Sequence, residues 1–196
     1  MSTVKVFGEE TTGNEPLTES SPCHPTDPYG QSKLKAEEKI RTLEDEHFTF
    51  SVIRSPLVYG PGVKGNMINL VKMVGKYGFI PLGNIHNQRT MVSVRNLIAL
   101  MDRVIQTRKS GVFIASDPEP VSTTRLVQEI AANLPGRKRI IPIPHLVQNM
   151  IKAVRPAIYQ RLFGSLVFDN SQTRKELDFE PPVSFEEGIR GMIVRV

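Results

Sequence analysis

Thr26-Asp27-Pro28-Tyr29-Gly30-Gln31-Ser32-Lys33-Leu34-Lys35-Ala36-Glu37 decides how the rest of this chain is read. Thr26 or Asp27 can cap a helix, and Pro28 suits its first position. On that helix Tyr29 and Lys33, four apart, face the same way. An ammonium beside a phenol favours phenolate and lowers the phenol's pKa. That is the property a general base for an alcohol proton needs near neutral pH. Of the four tyrosines only Tyr29 has Lys at i+4. The spacing alone is weak, because chance also produces it. The surroundings carry the argument.

Upstream lies Ser2-Thr3-Val4-Lys5-Val6-Phe7-Gly8, a β-rich run that ends in Gly. Downstream lies Ile53-Arg54-Ser55-Pro56-Leu57-Val58-Tyr59-Gly60-Pro61-Gly62. The three stretches, in this order, resemble the extended short-chain dehydrogenase/reductase family, in particular its NAD-dependent nucleotide-sugar epimerases of the UDP-glucose 4-epimerase type. Asn87-Gln88-Arg89-Thr90-Met91-Val92-Ser93-Val94-Arg95-Asn96-Leu97 is similar to a later motif of that family. Arg161–Ser171, Arg174–Leu177 and Pro181–Gly188 look like its closing segment. The resemblance covers essentially the whole chain.

The resemblance implies roles residue by residue. Tyr29 exchanges a proton with a sugar hydroxyl. Lys33 depresses the Tyr29 pKa and holds the nicotinamide ribose. Thr3 matches the catalytic Ser/Thr, with Ser2 as the alternative if the register slips by one. Ser55 and Pro56 line the nicotinamide. Arg89 and Arg161 clamp a diphosphate, as paired guanidinium donors do. Asn66 touches the phosphate region of a UDP-sugar, or else caps a helix after Gly65. Ser93 stands where His is frequent, and Arg95 is unusual two positions later. The 4,6-dehydratases follow the hydroxyl residue with Asp-Glu. Here Val4-Lys5 follows, which leaves C4 epimerisation of a UDP-hexose or a 4-keto reduction. The closing segment suggests polysaccharide sugar supply.

One expected feature is missing from the sequence. A dinucleotide fold opens with a strand, a Gly-x-(x)-Gly-x-x-Gly turn and a helix. Gly8, Gly13 and Gly30 lie in a polar stretch with no apolar strand before them. The expected fold class is therefore α/β: the C-terminal part of a Rossmann-type parallel sheet plus a small α/β substrate lobe. Residues 1–60 are expected to be the residual part of the dinucleotide-binding domain. Residues 61–196 are expected to form mainly the sugar-nucleotide lobe, interwoven with the first. A cofactor site for NAD then needs a pyrophosphate-binding segment from elsewhere. Expected partners are a UDP-sugar and a second copy meeting through helix 28–46, or a separate N-terminal chain. A non-catalytic UDP-sugar-binding or oligomerisation module is the other function class.

Composition bounds the remaining options. Cys23 is the only cysteine, which rules out an internal disulfide and points to a reducing, cytoplasmic compartment. His24, His47, His86 and His145 are scattered and suggest no metal site. No apolar run approaches the ~20 residues of a span. Net charge is +5, with −5 in residues 1–47 and +10 in the rest. The densest basic cluster, Arg137-Lys138-Arg139, has no aromatic neighbours for base stacking. Neither nucleic acid nor membrane is expected as a partner. Periodicity predicts helices over 28–46, 66–76, 93–108, 122–133, 145–154 and 171–177. It predicts strands at 48–53, 89–92, 112–115 and 139–143, and a loop over 9–27.

Overall fold

The computed structural model describes residues 1–11 and 15–194. The elements run β1 (Ser2–Thr3), a 3-10 turn (Val4–Val6), α1 (Pro28–Arg41), β2 (Ser51–Ser55) and β3 (Leu57–Tyr59). Then come α2 (Asn66–Lys76), β4 (Phe79–Gly83), β5 (Met91–Ser93), α3 (Val94–Thr107) and β6 (Gly111–Ile114). The chain closes with α4 (Thr123–Ala132), β7 (Arg139–Pro142), α5 (His145–Val154), α6 (Pro156–Phe163), α7 (Ser171–Leu177) and α8 (Phe185–Ile193). The fold is α/β with parallel strands in small sheets.

The chain divides into two compact units. Unit 1 comprises Met1–Val58, Thr90–Glu119 and Leu166–Ser184. Its sheet has the order β1-β2-β6, all parallel, with Thr3 opposite Ser55 and Ile53 opposite Phe113. Successive strand residues face opposite sides, and β6 shows it. Phe113 packs with Ile53, Leu97, Leu100, Val104 and Leu177. Its neighbour Ile114 packs with Val4, Val6, Phe7, Leu166 and Phe168. Burial on both faces explains why β6 reads as an apolar run rather than an alternating one.

Unit 2 comprises Tyr59–Arg89, Pro120–Ser165 and Phe185–Val196. Its two-stranded parallel sheet pairs β4 with β7. Helices α2 and α4 supply Met67, Val71, Val74, Val127 and Ile130 to the interior, with Ile189 and Met192 from α8. A Cβ on Gly83 would lie 2.9 Å from the Ile141 carbonyl. That position, at the irregularity in the strand pair, admits only glycine.

Several elements differ from their sequence expectation for visible reasons. The helix predicted over 28–46 ends at Arg41. Ile40 and Leu43 are exposed, while Gly30 and Glu37 are buried, with Leu34 half-buried between them. The inward face of α1 is thus set by a charged residue that has a buried partner. The strand predicted from Phe48 starts at Ser51. Asp45 instead accepts from the amides of His47 and Phe48 and holds them in a turn. Helices α6 and α8 and strands β3 and β4 were not anticipated, being short and adjacent to Pro or Gly.

Candidate active site

In unit 1 the chain converges on the carboxyl ends of β1 and β2. Thr3 closes β1 and Ser55 closes β2, as register partners. The Thr3 hydroxyl accepts from the Lys5 amide at 3.3 Å and so caps the 3-10 turn. Its proton remains available to donate elsewhere. Ser2, the alternative, donates its hydroxyl to the buried Glu37 carboxylate. The Ser55 hydroxyl donates to the Ser2 carbonyl at 3.3 Å. Pro56 is buried just after it.

Helix α1 carries the Tyr–Lys pair in its first two turns. Pro28 occupies the first position, and the Asp27 carboxylate accepts from the Gly30 amide at 2.6 Å. Lys5 also donates to Asp27, which ties the turn after β1 to the start of α1. These two donors, the Lys5 ammonium first, hold the Asp27 carboxyl below its usual range. A Cβ at Gly30 would stand 2.7 Å from the Lys5 carbonyl, so glycine lets the helix lie this close. Tyr29 is 54% exposed, and the Lys33 ammonium lies 5.9 Å from its ring centre. Lys33 also reaches the Met1 carbonyl at 3.5 Å.

Behind this pair sits an anchor that sequence reasoning missed. Glu37 lies one turn beyond Lys33 and takes a forked interaction from Arg54. Nε donates at 3.2 Å to Oε1, and Nη2 at 2.6 Å to Oε2. Both side chains are buried. The ring of Phe7 covers the guanidinium at 4.6 Å. Glu37 thus ties α1 to Ser2 on β1 and Arg54 on β2, each next to a site residue. The signal was present as Tyr29-x-x-x-Lys33-x-x-x-Glu37, three polar residues on one helix face. Cys23 is half-buried beside this cluster, and burial pushes its thiol up.

The remaining predicted residues lie in unit 2. Asn66 is exposed at the first position of α2, while Gly65 is the N-cap, so the capping alternative for Asn66 is corrected. The Arg89 guanidinium donates Nη1 to the carbonyls of Gln160 at 3.3 Å and Gly164 at 3.2 Å. Those carbonyls end α6, where a cation is favoured. Arg161 is exposed on the same helix, next to Gln160. The structure therefore brings Arg89 and Arg161 to one helix end. In unit 1, Ser93 caps α3 by accepting from the Asn96 amide at 3.1 Å. That is a structural use for the residue standing where His was expected.

A family model described as GDP-mannose 4,6 dehydratase matches residues 1–192. The chain belongs to this family. Members of this family are NAD-dependent nucleotide-sugar epimerases and dehydratases of the extended short-chain dehydrogenase/reductase type. The chain is 35% identical to the UDP-glucose 4-epimerase of Vibrio cholerae over 196 residues, covering 97% of this chain and 60% of that protein. It is 29% identical over 131 residues to an N-acetyl-alpha-D-glucosaminyl-diphospho-ditrans,octacis-undecaprenol 4-epimerase of Escherichia coli O157:H7, covering 63% of this chain and 39% of that protein. The solved UDP-glucose 4-epimerase of Thermus thermophilus, in complex with NAD, has the same fold. Its TM-score is 0.73 at 18% identity, over 99% of this chain and 61% of that one.

Proposed function

We propose that the protein acts as an NAD-dependent nucleotide-sugar 4-epimerase, to which this chain contributes the proton-transfer residues and the diphosphate-binding arginines. One arrangement carries the reading. Thr3 and Ser55 end two adjacent parallel strands, and the helix bearing Tyr29 and Lys33 is tied to the turn after Thr3. Ligands of α/β sheets bind at the carboxyl ends of strands.

The donor set fits a nicotinamide riboside. It consists of an exposed phenol, an ammonium and two hydroxyls, with the Pro56 segment alongside. Lys33 would hold the ribose, and Ser55 and Pro56 would line the ring. A bound nicotinamide would supply reversible hydride chemistry at C4 of the sugar. Tyr29 Oη takes the proton of the C4 hydroxyl and later gives it back. Lys33, whose ammonium lies 5.9 Å from the Tyr29 ring centre, flanks the phenol on the same helix. Thr3 Oγ1 donates to the same sugar oxygen. Arg161, Arg89 and Asn66 hold the diphosphate of a UDP-sugar.

Dehydration receives no support at Thr3. Val4, the next residue, is in the core, and Lys5 is paired with Asp27 and Glu9. No acid–base pair follows the hydroxyl residue. The 4-keto reductase reading uses the same three residues and differs only in substrate. A lipid-linked sugar diphosphate, as named for the Escherichia coli relative, is a second substrate reading. Its diphosphate would meet the same arginines. A homodimer through the exposed face of α1, a cytoplasmic location and a role in polysaccharide sugar supply complete the proposal.

The test is an assay of UDP-glucose and UDP-N-acetylglucosamine with NAD, using the 196-residue chain with and without an amino-terminal Gly-rich βαβαβ segment added as a second polypeptide. The expected result is turnover with the segment, abolished by Tyr29→Phe, and none without it. Turnover unaffected by Tyr29→Phe would overturn the assignment. NAD(P)H-dependent loss of a 4-keto sugar without epimerisation would transfer it to the reductase reading. UDP binding without turnover under any condition would favour the non-catalytic module.

A further inference from the structure

Helix α5 in unit 2 turns its apolar side to water. It buries no residue. Leu146, Met150 and Val154 are 82%, 59% and 68% exposed. Spaced by four, they form one stripe along the helix. The half-buried side is formed by Val147, Gln148 and Ile151 instead. A continuous exposed aliphatic stripe marks an interaction surface.

The charge around the stripe names the partner. From Ile130 to Phe168 the chain has no Asp or Glu and six Lys or Arg. Lys152 flanks the stripe, with its ammonium 5.5 Å from the Tyr159 ring of α6. Arg155 is exposed at the α5–α6 junction. We propose that α5 lies flat on an anionic phospholipid bilayer, with Leu146, Met150 and Val154 in the headgroup–acyl boundary and Lys152 and Arg155 on lipid phosphates. An apolar stripe beside basic residues is the pattern of an interfacial helix. Long basic side chains reach the headgroups while their stems stay in the apolar layer.

Two other occupants fit less well. A second copy would set one strongly basic unit against another, and like charges repel. Single-stranded nucleic acid is held on aromatic stacking faces, and the stripe is aliphatic. The expectation of no membrane partner rested on span length. A helix lying in the interface does not have to meet that length, and α5 has ten residues. The inference stands apart from the catalytic reading, because vesicle binding requires neither cofactor nor sugar.

The experiment is co-sedimentation of the 196-residue chain with phosphatidylcholine vesicles, with and without phosphatidylglycerol. Binding is expected only with phosphatidylglycerol, and is expected to weaken with salt. Leu146→Gln with Met150→Gln should weaken it by about tenfold or more, since apolar burial drives insertion. Lys152→Gln with Arg155→Gln should also weaken it. Leu43→Gln, an equally exposed apolar residue in unit 1, should leave it unchanged. Circular dichroism melts of all variants should match the parent. Failure to bind phosphatidylglycerol vesicles would overturn the proposal, as would equal binding by the Leu146/Met150 variant. A dimer that this variant converts to monomer would assign the stripe to self-association instead. Loss of oligonucleotide binding with vesicle binding intact would assign it to nucleic acid.

Discussion

The two units of this chain solve the problem of charge in opposite ways. Unit 1 has seventeen acidic and twelve basic residues, and unit 2 has three acidic and thirteen basic. Unit 1 takes one ion pair inside and surrounds it with further hydrogen bonds. Unit 2, among its described residues, buries no charged side chain and carries exposed cations beside a helix that buries nothing. The basic character of the whole chain belongs to unit 2 alone. A rigid polar anchor suits the site proposed at Tyr29 and Lys33. Many solvated cations suit the phosphate-facing surface proposed for unit 2.

The contrast is tested most severely at Glu37 and Arg54. Replacing either partner alone leaves a buried charge without its counterion, a loss of about 3–5 kcal/mol. Glu37→Leu and Arg54→Met should each lower the denaturant midpoint strongly. The double variant should recover most of the loss, because a well-packed apolar pair replaces a buried ion pair at little net cost. Equal losses for the double and single variants would show that the pair is not coupled as described.

Unit 2 should respond to shape rather than charge. A Cβ at Gly188 would meet the Tyr59 ring at 2.7 Å. Gly188→Ala should therefore destabilise by about 1–3 kcal/mol through overpacking. Gly191→Ala, where nothing lies within 4 Å of an added Cβ, should be neutral or slightly stabilising by helix propensity. Thermal melts of the two variants make the comparison. Matching melts would mean that the Tyr59–Phe185 packing yields easily.

How much was legible in the sequence differs between the units. Tyr29, Lys33, Thr3 and Ser55 were named from motifs, and Asp27, which caps α1, was one of two cap candidates there. Glu37 was not read as interior, because a charged helix residue normally faces solvent unless it is paired. Its partner Arg54 is 17 positions away, in another element. Arg89 was read as a ligand residue, yet its guanidinium also holds the end of α6. That helix was not anticipated, so its carbonyls were not there to be counted. The helix ending at Val154 was expected, but the exposure of Leu146, Met150 and Val154 was not, since periodicity reveals a face without saying what covers it.

The Asp27–Lys5 pair sharpens the comparison on a smaller scale. Asp27 is held below its ordinary 3.8. Its contribution to stability is therefore present above that value and is lost as pH falls through the lower folded value. Lys5 is raised above its ordinary 10.5, chiefly by its hydrogen bond to Asp27. Its contribution is present below that value and is lost as pH rises through the higher folded one. The stability difference between parent and Asp27→Asn should be flat between the two values and shrink beyond each. Denaturant midpoints across that range check it. A difference that varies in mid-range would assign the effect to another group.

The smallest expected effect is at Cys23. Burial raises its thiol pKa, so less thiolate is present near neutral pH. Alkylation should be slower than for a free thiol and should speed up on denaturation. Equal rates folded and unfolded would place the thiol in solvent.

Neither unit is a continuous piece of chain. Thr11 accepts from the amide of Val167 and donates to its carbonyl, across 156 positions. Unit 1 therefore cannot close until its Leu166–Ser184 segment has left the ribosome. Such long-range pairing makes folding slow and leaves the early strands exposed in the meantime. During synthesis, β1 and α1 must wait for a partner encoded after residue 165. Rare codons or pauses between residues 59 and 165 would lengthen that wait. Chaperone dependence would therefore be set by this stretch more than by the site it separates.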